Sequence, residues 1–187
     1  MYDPLRSIVE AKKRELHAIG LRTPAEALSG LEHAQRIDIT YSSNAIEGNT
    51  LTAGETALVL EKGMTISGKP LKDHLEAIDH AEALAWVLDV AARQATAILE
   101  ADIRNIHRLV MAKSAPGIAG CYADRARFVN TDIGLHQFPT PNDVPILMQA
   151  LGDWLRQAED TPDVAFEAHR RLMNDWLSKT GDSFLRL

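Results

Sequence analysis

The 187-residue sequence lacks several features that define whole classes of protein. It has one cysteine, Cys121, so no disulfide can form within the chain, and we expect a reducing, cytoplasmic setting. The formal net charge is −6, which argues against broad attraction to nucleic acid or to an anionic membrane. No apolar run reaches the ~20 residues of a membrane-spanning helix. The charged N-terminal stretch is also unlike a secretory signal peptide.

The histidines are not spaced as metal ligands. His74 and His80 are six residues apart, which places them on different faces of a helix, and the sequence has no His-x-x-x-His pair or His–Cys cluster. We therefore predict no transition-metal site. His107 is expected to pack or to cap a backbone group, and Cys121 is expected to be a small, partly buried side chain.

Helix-capping residues and hydrophobic spacing predict a nearly all-helical chain. Thr23 is a predicted N-cap with Pro24 at the first helical position, and this helix should run to about Ile46. Thr52 and Glu55 form a second predicted capping box, which opens a short helix ending near Gly63. The longest predicted helix starts at Pro70, and its apolar stripe comprises Leu71, Leu75, Ile78, Ala81, Ala85 and Leu88.

The remaining predicted elements are helices, with one exception. Three of the helices are predicted from Pro4 to about Ala18, from about Asp102 to Lys113, and from Thr161-Pro162 to about Lys179. A fourth is predicted to start after Asn142, which would be its N-cap. The exception is a hairpin, in which Arg127–Thr131 and Leu135–Phe138 flank a turn at Asp132-Ile133-Gly134. Because two short strands are marginal alone, this hairpin should rest on the helices or on a bound partner.

The segment from Ser42 to Leu51 places an acid at the end of a predicted helix. Ser43 and Glu47 are four residues apart and share a helix face, and Gly48 can end the helix in the left-handed conformation. A carboxylate at a helix C-terminus is opposed by the helix dipole, so we expect a partner such as an arginine or a bound nucleotide's counter-charge. The simpler alternative is an ordinary helix end with a solvated acid.

The Ser43-x-x-x-Glu47-Gly48 segment resembles the inhibitory-helix motif of Fic (Fido-domain) proteins. The resemblance covers about residues 35 to 180, and its other segments are Thr52–Thr56, Glu61–Gly63, Gly68–Leu71, His74–Ala83, Ala101–His107, Gly120–Asp124, His136–Pro139 and Val144–Met148. It implies an all-α, Fic-type helical bundle with one small β-hairpin flap. Residues 1–34 would then form an N-terminal helical extension and residues 35–187 the Fic-like domain.

The same resemblance implies a protein adenylyltransferase, which transfers AMP from ATP to a protein hydroxyl with the help of Mg²⁺. Ser43, Glu47 and Gly48 would be inhibitory, with Glu47 facing Arg170, a nucleotide-binding residue that resembles the final arginine of the catalytic motif. A protein target would dock at the flap, and the residues assigned to that docking are Arg127, Phe128, Val129, Asn130, Thr131 and His136. Alternatively, the hairpin is purely structural and binds no ligand. Arg170 and Arg171 could likewise be two exposed helix residues without a functional role.

The catalytic motif of the family, His-x-Phe-x-Asp/Glu-Gly-Asn-Gly-Arg-x-x-Arg, does not occur in the chain. The sequences that usually flank it are joined between His169 and Arg170, and residues 153 to 180 contain no glycine for a phosphate-binding turn. We assign no catalytic residue and predict that this chain does not transfer AMP. Three explanations for the absent motif remain open. The protein is a natural degenerate relative, the catalytic loop has been deleted, or the sequence omits a stretch of the chain.

Two other functions remain open from the sequence. A catalytically silent protein could hold a partner through the hairpin or pair with an intact copy of itself. A helical scaffold could share the fold alone, because fold does not fix function.

Overall fold

The computed structural model of the chain describes residues 3–20, 24–93, 98–131, 134–159 and 161–177. Its helices are α1 (Asp3–Gly20), α2 (Ala25–Ile46), α3 (Ala53–Lys62), α4 (Leu71–Ala92), α5 (Glu100–Val110), α6 (Val144–Gln157) and α7 (Pro162–Leu177). Its strands, β1 (Phe128–Thr131) and β2 (Gly134–Gln137), form an antiparallel hairpin. The predicted all-α architecture with one hairpin is confirmed, while the turn residues Asp132 and Ile133 lie outside the described residues.

The chain divides into two compact units. The first unit comprises Met1–Arg93 and Leu109–Pro116, and the second comprises Gln94–Arg108 and Gly117–Leu187. Helix α2 continues through residue 35, where the resemblance places the start of the Fic-like domain, and that boundary stays a prediction. None of the described helices combines the length and the apolar character needed to cross a membrane.

Helices α2, α3 and α4 pack on one another in the first unit, around Leu51, Val59 and Ala77. The apolar stripe predicted for α4 is partly wrong, because Leu71, Ala85 and Leu88 are exposed. The face that is buried instead carries Asp73, His74, Ala77, Asp79 and Ala83. Its polar members bind the backbone of neighbouring loops, so hydrogen bonding as well as hydrophobicity selects the buried face.

Asp79 is the most completely buried of these polar residues, with 0% of its surface exposed. Its carboxylate accepts hydrogen bonds from the backbone N–H groups of Lys113 and Ser114, both at 2.8 Å. These amides are therefore unavailable to a helix, which is why α5 ends at Val110 although the sequence predicts a helix to Lys113. One buried acid thus fixes the turn that follows α5.

Local capping signals were reliable in some places and misplaced in others. The capping box of α3 is confirmed, because Thr52 Oγ1 accepts from the Glu55 N–H (3.3 Å) and the Glu55 carboxylate accepts from the Thr52 N–H (2.8 Å). Thr23 lies outside the described residues, and Pro24 precedes α2 rather than starting it.

The N-cap predicted at Asn142 is wrong. Asp143 occupies that position because the Asp143 and Val144 amides both donate to the Thr140 carbonyl, at 2.9 and 3.2 Å. This turn delays the start of α6 by one residue.

The core of the second unit lies on α6. Its buried members are Val144, Met148 and Leu151. Side chains from α5, α6, α7 and the segment after α5 pack against this cluster, and they are Ile103, Tyr122, Trp154, Leu155 and Leu172. Of these residues, Tyr122 belongs to the segment that leads into the hairpin.

Candidate functional site

The acid at the end of α2 lies where the sequence predicts. Glu47 is the C-cap residue, and Gly48 follows with φ +88°, in the left-handed region. The Gly48 amide donates to the Ala45 carbonyl (3.1 Å) and the Asn49 amide to the Asn44 carbonyl (3.0 Å), which is the hydrogen-bond pattern of a Schellman motif. The Glu47 side chain is exposed and forms no ion pair with the described residues, while Ser43 is half-buried.

A polar network holds the segment that follows this turn. The Asp73 carboxylate accepts from the Thr50 backbone N–H (2.8 Å) and hydroxyl (2.6 Å), and Asn49 Nδ2 donates to the Asp73 carbonyl (2.9 Å). Lys69 adds a hydrogen bond to the Thr50 carbonyl and lies 3.5 Å from the Glu55 carboxylate. Burial raises the pKa of Asp73, but the hydrogen bonds from Thr50 outweigh it and bring that pKa below its usual value. The turn that carries Glu47 is therefore fastened to α4.

The hairpin presents large apolar side chains outward. Phe128 and Leu135 are 52% and 68% exposed, while Val129 is half-buried. Because Phe128 is opposite Gln137 and Asn130 is opposite Leu135, the two apolar side chains lie on the same face of the sheet. Arg127 and Asn130 are also exposed. For Thr131 and His136 only the backbone is described, at the pairs Thr131–Gly134 and Val129–His136.

A cavity of ≈ 530 Å³ lies at the base of the hairpin. The hairpin contributes Arg127 and Phe138, whose backbones are joined by a hydrogen bond from the Phe138 N–H to the Arg127 carbonyl (3.0 Å). Other walls come from α5, from the 117–124 segment and from α6; they include His107, Ile118, Tyr122 and Val144. This volume is in the range of small-ligand sites.

Internal hydrogen bonds engage His107 and Tyr122, two polar residues of the cavity wall. His107 Nδ1 accepts from the Gly120 N–H (3.1 Å), as the sequence predicts, and burial lowers the His107 pKa, which favours a neutral ring with its proton on Nε2. The Tyr122 hydroxyl donates a hydrogen bond to Glu100. Burial is the larger cause and this hydrogen bond the second cause of a raised Tyr122 pKa. The Arg104 guanidinium lies 5.0 Å from the Tyr122 ring centroid and donates to the Gly120 carbonyl.

Cys121 also lines the cavity, and the prediction that it is partly buried is wrong. It is exposed, because the segment of residues 117–124 directs its neighbour Tyr122 into the core instead. It is the sole thiol of the chain and provides a chemical handle on this cavity.

Helix α7 passes without a break through the point at which the flanking sequences of the missing motif are joined. His169 and Arg170 are consecutive residues of one helix from Pro162 to Leu177. Arg170 donates two hydrogen bonds to the Glu167 carboxylate, both at 2.7 Å, and Arg171 donates a third at 2.8 Å. These contacts, with Arg170 contributing most, lower the pKa of Glu167 to about 2. Arg171 also lies over the Trp154 ring at 4.3 Å.

The backbone of α7 does not fit the phosphate-binding turn that the resemblance implies. A phosphate-binding turn needs free backbone N–H groups, whereas the backbone of residues 162–177 is helical throughout. The guanidinium of Arg170 is engaged by Glu167 within the same helix. The part of the chain that the structure describes contains no cluster of three or more His, Cys, Asp or Glu side chains able to hold a metal ion.

The structure thus places the predicted site residues in separate groups. Ser43, Glu47 and Gly48 share the end of α2 in the first unit, whereas Arg170 and the hairpin belong to the second unit. The predicted pairing of Glu47 with Arg170 and the docking role of the hairpin stay predictions. Sequence reasoning missed Asp73 and Glu167, although the three- and four-residue spacing of Glu167 to Arg170 and Arg171 was a visible signal for the latter.

Known proteins resemble this chain along most of its length. The "Protein adenylyltransferase Fic" of Nematostella vectensis is 37% identical over 115 residues, which are 62% of this chain and 26% of that protein. The protein of the same name from Drosophila mojavensis is 30% identical over 175 residues, 90% of this chain and 33% of that protein. This chain therefore spans about a quarter to a third of the length of these relatives. No family model matches the chain.

Solved structures show the same relationship. Fic-1 from C. elegans superimposes with a TM-score of 0.69 at 27% identity, covering 94% of this chain and 54% of that one. A Fic domain containing signaling protein from Bacteroides thetaiotaomicron gives a TM-score of 0.65 at 30% identity over 70% of this chain and 49% of that one. Together with the turn at Gly48 and the hairpin, these similarities establish that the chain belongs to the Fic (Fido-domain) family.

Proposed function

We propose that this chain is of the protein adenylyltransferase type, with Glu47 as its inhibitory residue and the hairpin as its target-docking flap. The name of the curated relatives implies that they use ATP as the source of AMP. The Schellman turn at Gly48 supports the inhibitory assignment, because it fixes the end of the helix that carries Glu47. The same turn is fastened to α4 through Asp73.

We further infer that the chain in this form does not transfer AMP. The observation that carries this inference is the unbroken course of α7 through His169 and Arg170. The general base of the family motif is absent from the sequence, and general-base catalysis alone contributes ~10²–10⁴-fold to a rate. A helix in place of the phosphate-binding turn removes electrostatic stabilisation as well.

The test is incubation of the chain with α-labelled ATP and Mg²⁺, followed by measurement of label attached to protein. We expect no more label on the native chain than on a heat-denatured sample, both for the wild type and for Glu47→Gly. The variant is included because it removes the proposed brake. Mg²⁺-dependent labelling of either protein would overturn the proposal that the chain is inactive.

A second candidate function is partner binding without catalysis. The observation that favours it is the pair of exposed side chains, Phe128 and Leu135, on one face of the hairpin. Large apolar groups that share an exposed surface are typical of binding sites. In this reading the hairpin holds a protein partner, and the loss of the catalytic motif has no effect on that binding.

Phe128→Asp should abolish such binding by placing a charge in the apolar contact. The measurement is a quantitative pull-down with crosslinking that compares the wild type, Phe128→Asp and Ile146→Asp. Ile146 is a matched control, since it is 67% exposed but lies on α6. A partner that is lost from both variants alike, or retained by both, would contradict a binding role for the hairpin.

A further inference from the structure

The cavity at the base of the hairpin adjoins a small antiparallel sheet. Within the described residues, β1 and β2 form a two-stranded sheet, so each strand has one edge without a neighbouring strand. Arg127 and Phe138 belong both to the base of this sheet and to the cavity wall. An extended segment that adds to the outer edge of β1 could continue past Arg127 in the cavity wall, and its side chains would alternate between the two faces.

The chemistry of the wall favours an apolar side chain over a phosphate or another strongly polar group. Ile118, Phe138 and Val144 supply apolar surface. The polar groups of His107 and Tyr122 already take part in hydrogen bonds to Gly120 and Glu100. A charged group placed against Ile118, Phe138 and Val144 would lose its hydration without gaining a partner among them, whereas an apolar group loses nothing comparable.

The cavity wall carries two residues of opposite charge, Asp124 and Arg127. Asp124 is 3.3 Å from Arg125, and that hydrogen bond with the charge of Arg125 lowers the pKa of Asp124. Because Asp124 is paired with Arg125, the positive charge of the exposed Arg127 is not balanced among these three residues. An acidic residue of the ligand, next to the apolar one, would complement this charge.

We propose that the cavity is a specificity pocket for one large apolar side chain, aromatic or aliphatic, of an extended target segment that pairs with the hairpin and carries an acidic neighbour. This inference rests on the proposed role of the hairpin as a docking flap. It adds the class of target, which that role leaves unspecified. The volume of ≈ 530 Å³ leaves room for an aromatic side chain and part of the adjoining backbone.

The test uses short capped peptides of alternating threonine and valine with a central aspartate–phenylalanine pair. Affinity is measured by fluorescence polarisation, and occupation of the cavity is measured by the rate at which iodoacetamide alkylates Cys121. We expect the phenylalanine peptide to slow alkylation. Replacing its phenylalanine by alanine should weaken binding about tenfold or more, as expected for loss of a buried aromatic side chain.

Protein variants locate the binding. Ile118→Asp adds a charge to the wall and Ala123→Leu fills the space with an apolar group; each should weaken the phenylalanine peptide about tenfold, while Ile146→Asp on α6 should not. Circular dichroism confirms that each variant folds, and the two pocket variants act in opposite chemical directions. Concordant losses therefore report on the cavity rather than on one disruptive residue.

The outcomes separate this inference from the function on which it rests. If alanine and phenylalanine peptides bind equally and Phe128→Asp weakens both, the hairpin docks extended segments but the pocket assignment is overturned. If no peptide binds the wild-type chain, both the pocket and the docking flap are overturned. The AMP-transfer assay does not depend on either peptide result.

Discussion

Replacing Asp79 with alanine is expected to destabilise the first unit by about 2–6 kcal/mol, because two backbone N–H groups would be left without their acceptor and each such loss costs about 1–3 kcal/mol. The Asp79 side chain is completely buried, so water cannot readily replace it. Its contacts with the Lys113 and Ser114 amides, at 2.8 Å, are the bonds that end α5 at Val110. A loss of this size is a large part of a typical domain's stability.

Urea unfolding followed by circular dichroism measures this effect. Glu82→Gln is the control, since Glu82 binds the side chain of Lys113 at 2.6 Å but is exposed. Removing an exposed ion pair should change the free energy of unfolding by only about 1 kcal/mol or less. Equal, small effects for Asp79→Ala and Glu82→Gln would refute the anchoring role of the buried carboxylate.

Met148→Ala is expected to lower the free energy of unfolding of the second unit by about 2–5 kcal/mol, the range for deleting a large buried apolar side chain. Met148 is 1% exposed and lies between Val144 and Leu151 in the core cluster. Tyr122 and Leu172 pack against the same cluster, so a cavity there would loosen the contacts of both the 117–124 segment and α7.

The measurement is again urea unfolding, with Ile146→Ala as the control on the same helix. Ile146 is 67% exposed, and its truncation should change stability by no more than about 0.5 kcal/mol. A midpoint for Met148→Ala as close to the wild type as that of Ile146→Ala would show that the α6 cluster is not the core of this unit.

Features that depend on a few neighbouring residues were predictable from the sequence. The capping box of Thr52 and Glu55 and the left-handed end of α2 at Gly48 are set by side chains within a few residues of the backbone groups they satisfy. The hairpin was found for the same reason. Here the local pattern and the fold agree.

Features that depend on distant segments were not predictable. Asp73 and Asp79 interrupt the apolar pattern of α4, and their partners Thr50 and Lys113 are 23 and 34 residues away. The cavity was missed likewise, because α5, the hairpin and α6 bring its walls together only in the folded chain. The Ser43–Glu47–Gly48 segment could be recognised from the sequence, whereas the cavity at the base of the hairpin could not.

The continuity of α7 has a consequence for how the chain could change. Val164, Ala168 and Leu172 are half-buried at intervals of four, so one inward stripe runs across the junction of residues 169 and 170. One extra residue at that junction would rotate everything after it by ~100° about the helix axis, and would carry Leu172 off the α6 cluster. The effect of a helical insertion at this junction therefore depends on the rotation it causes as well as on its length. An insertion that restores the original orientation would keep Leu172 against the α6 cluster.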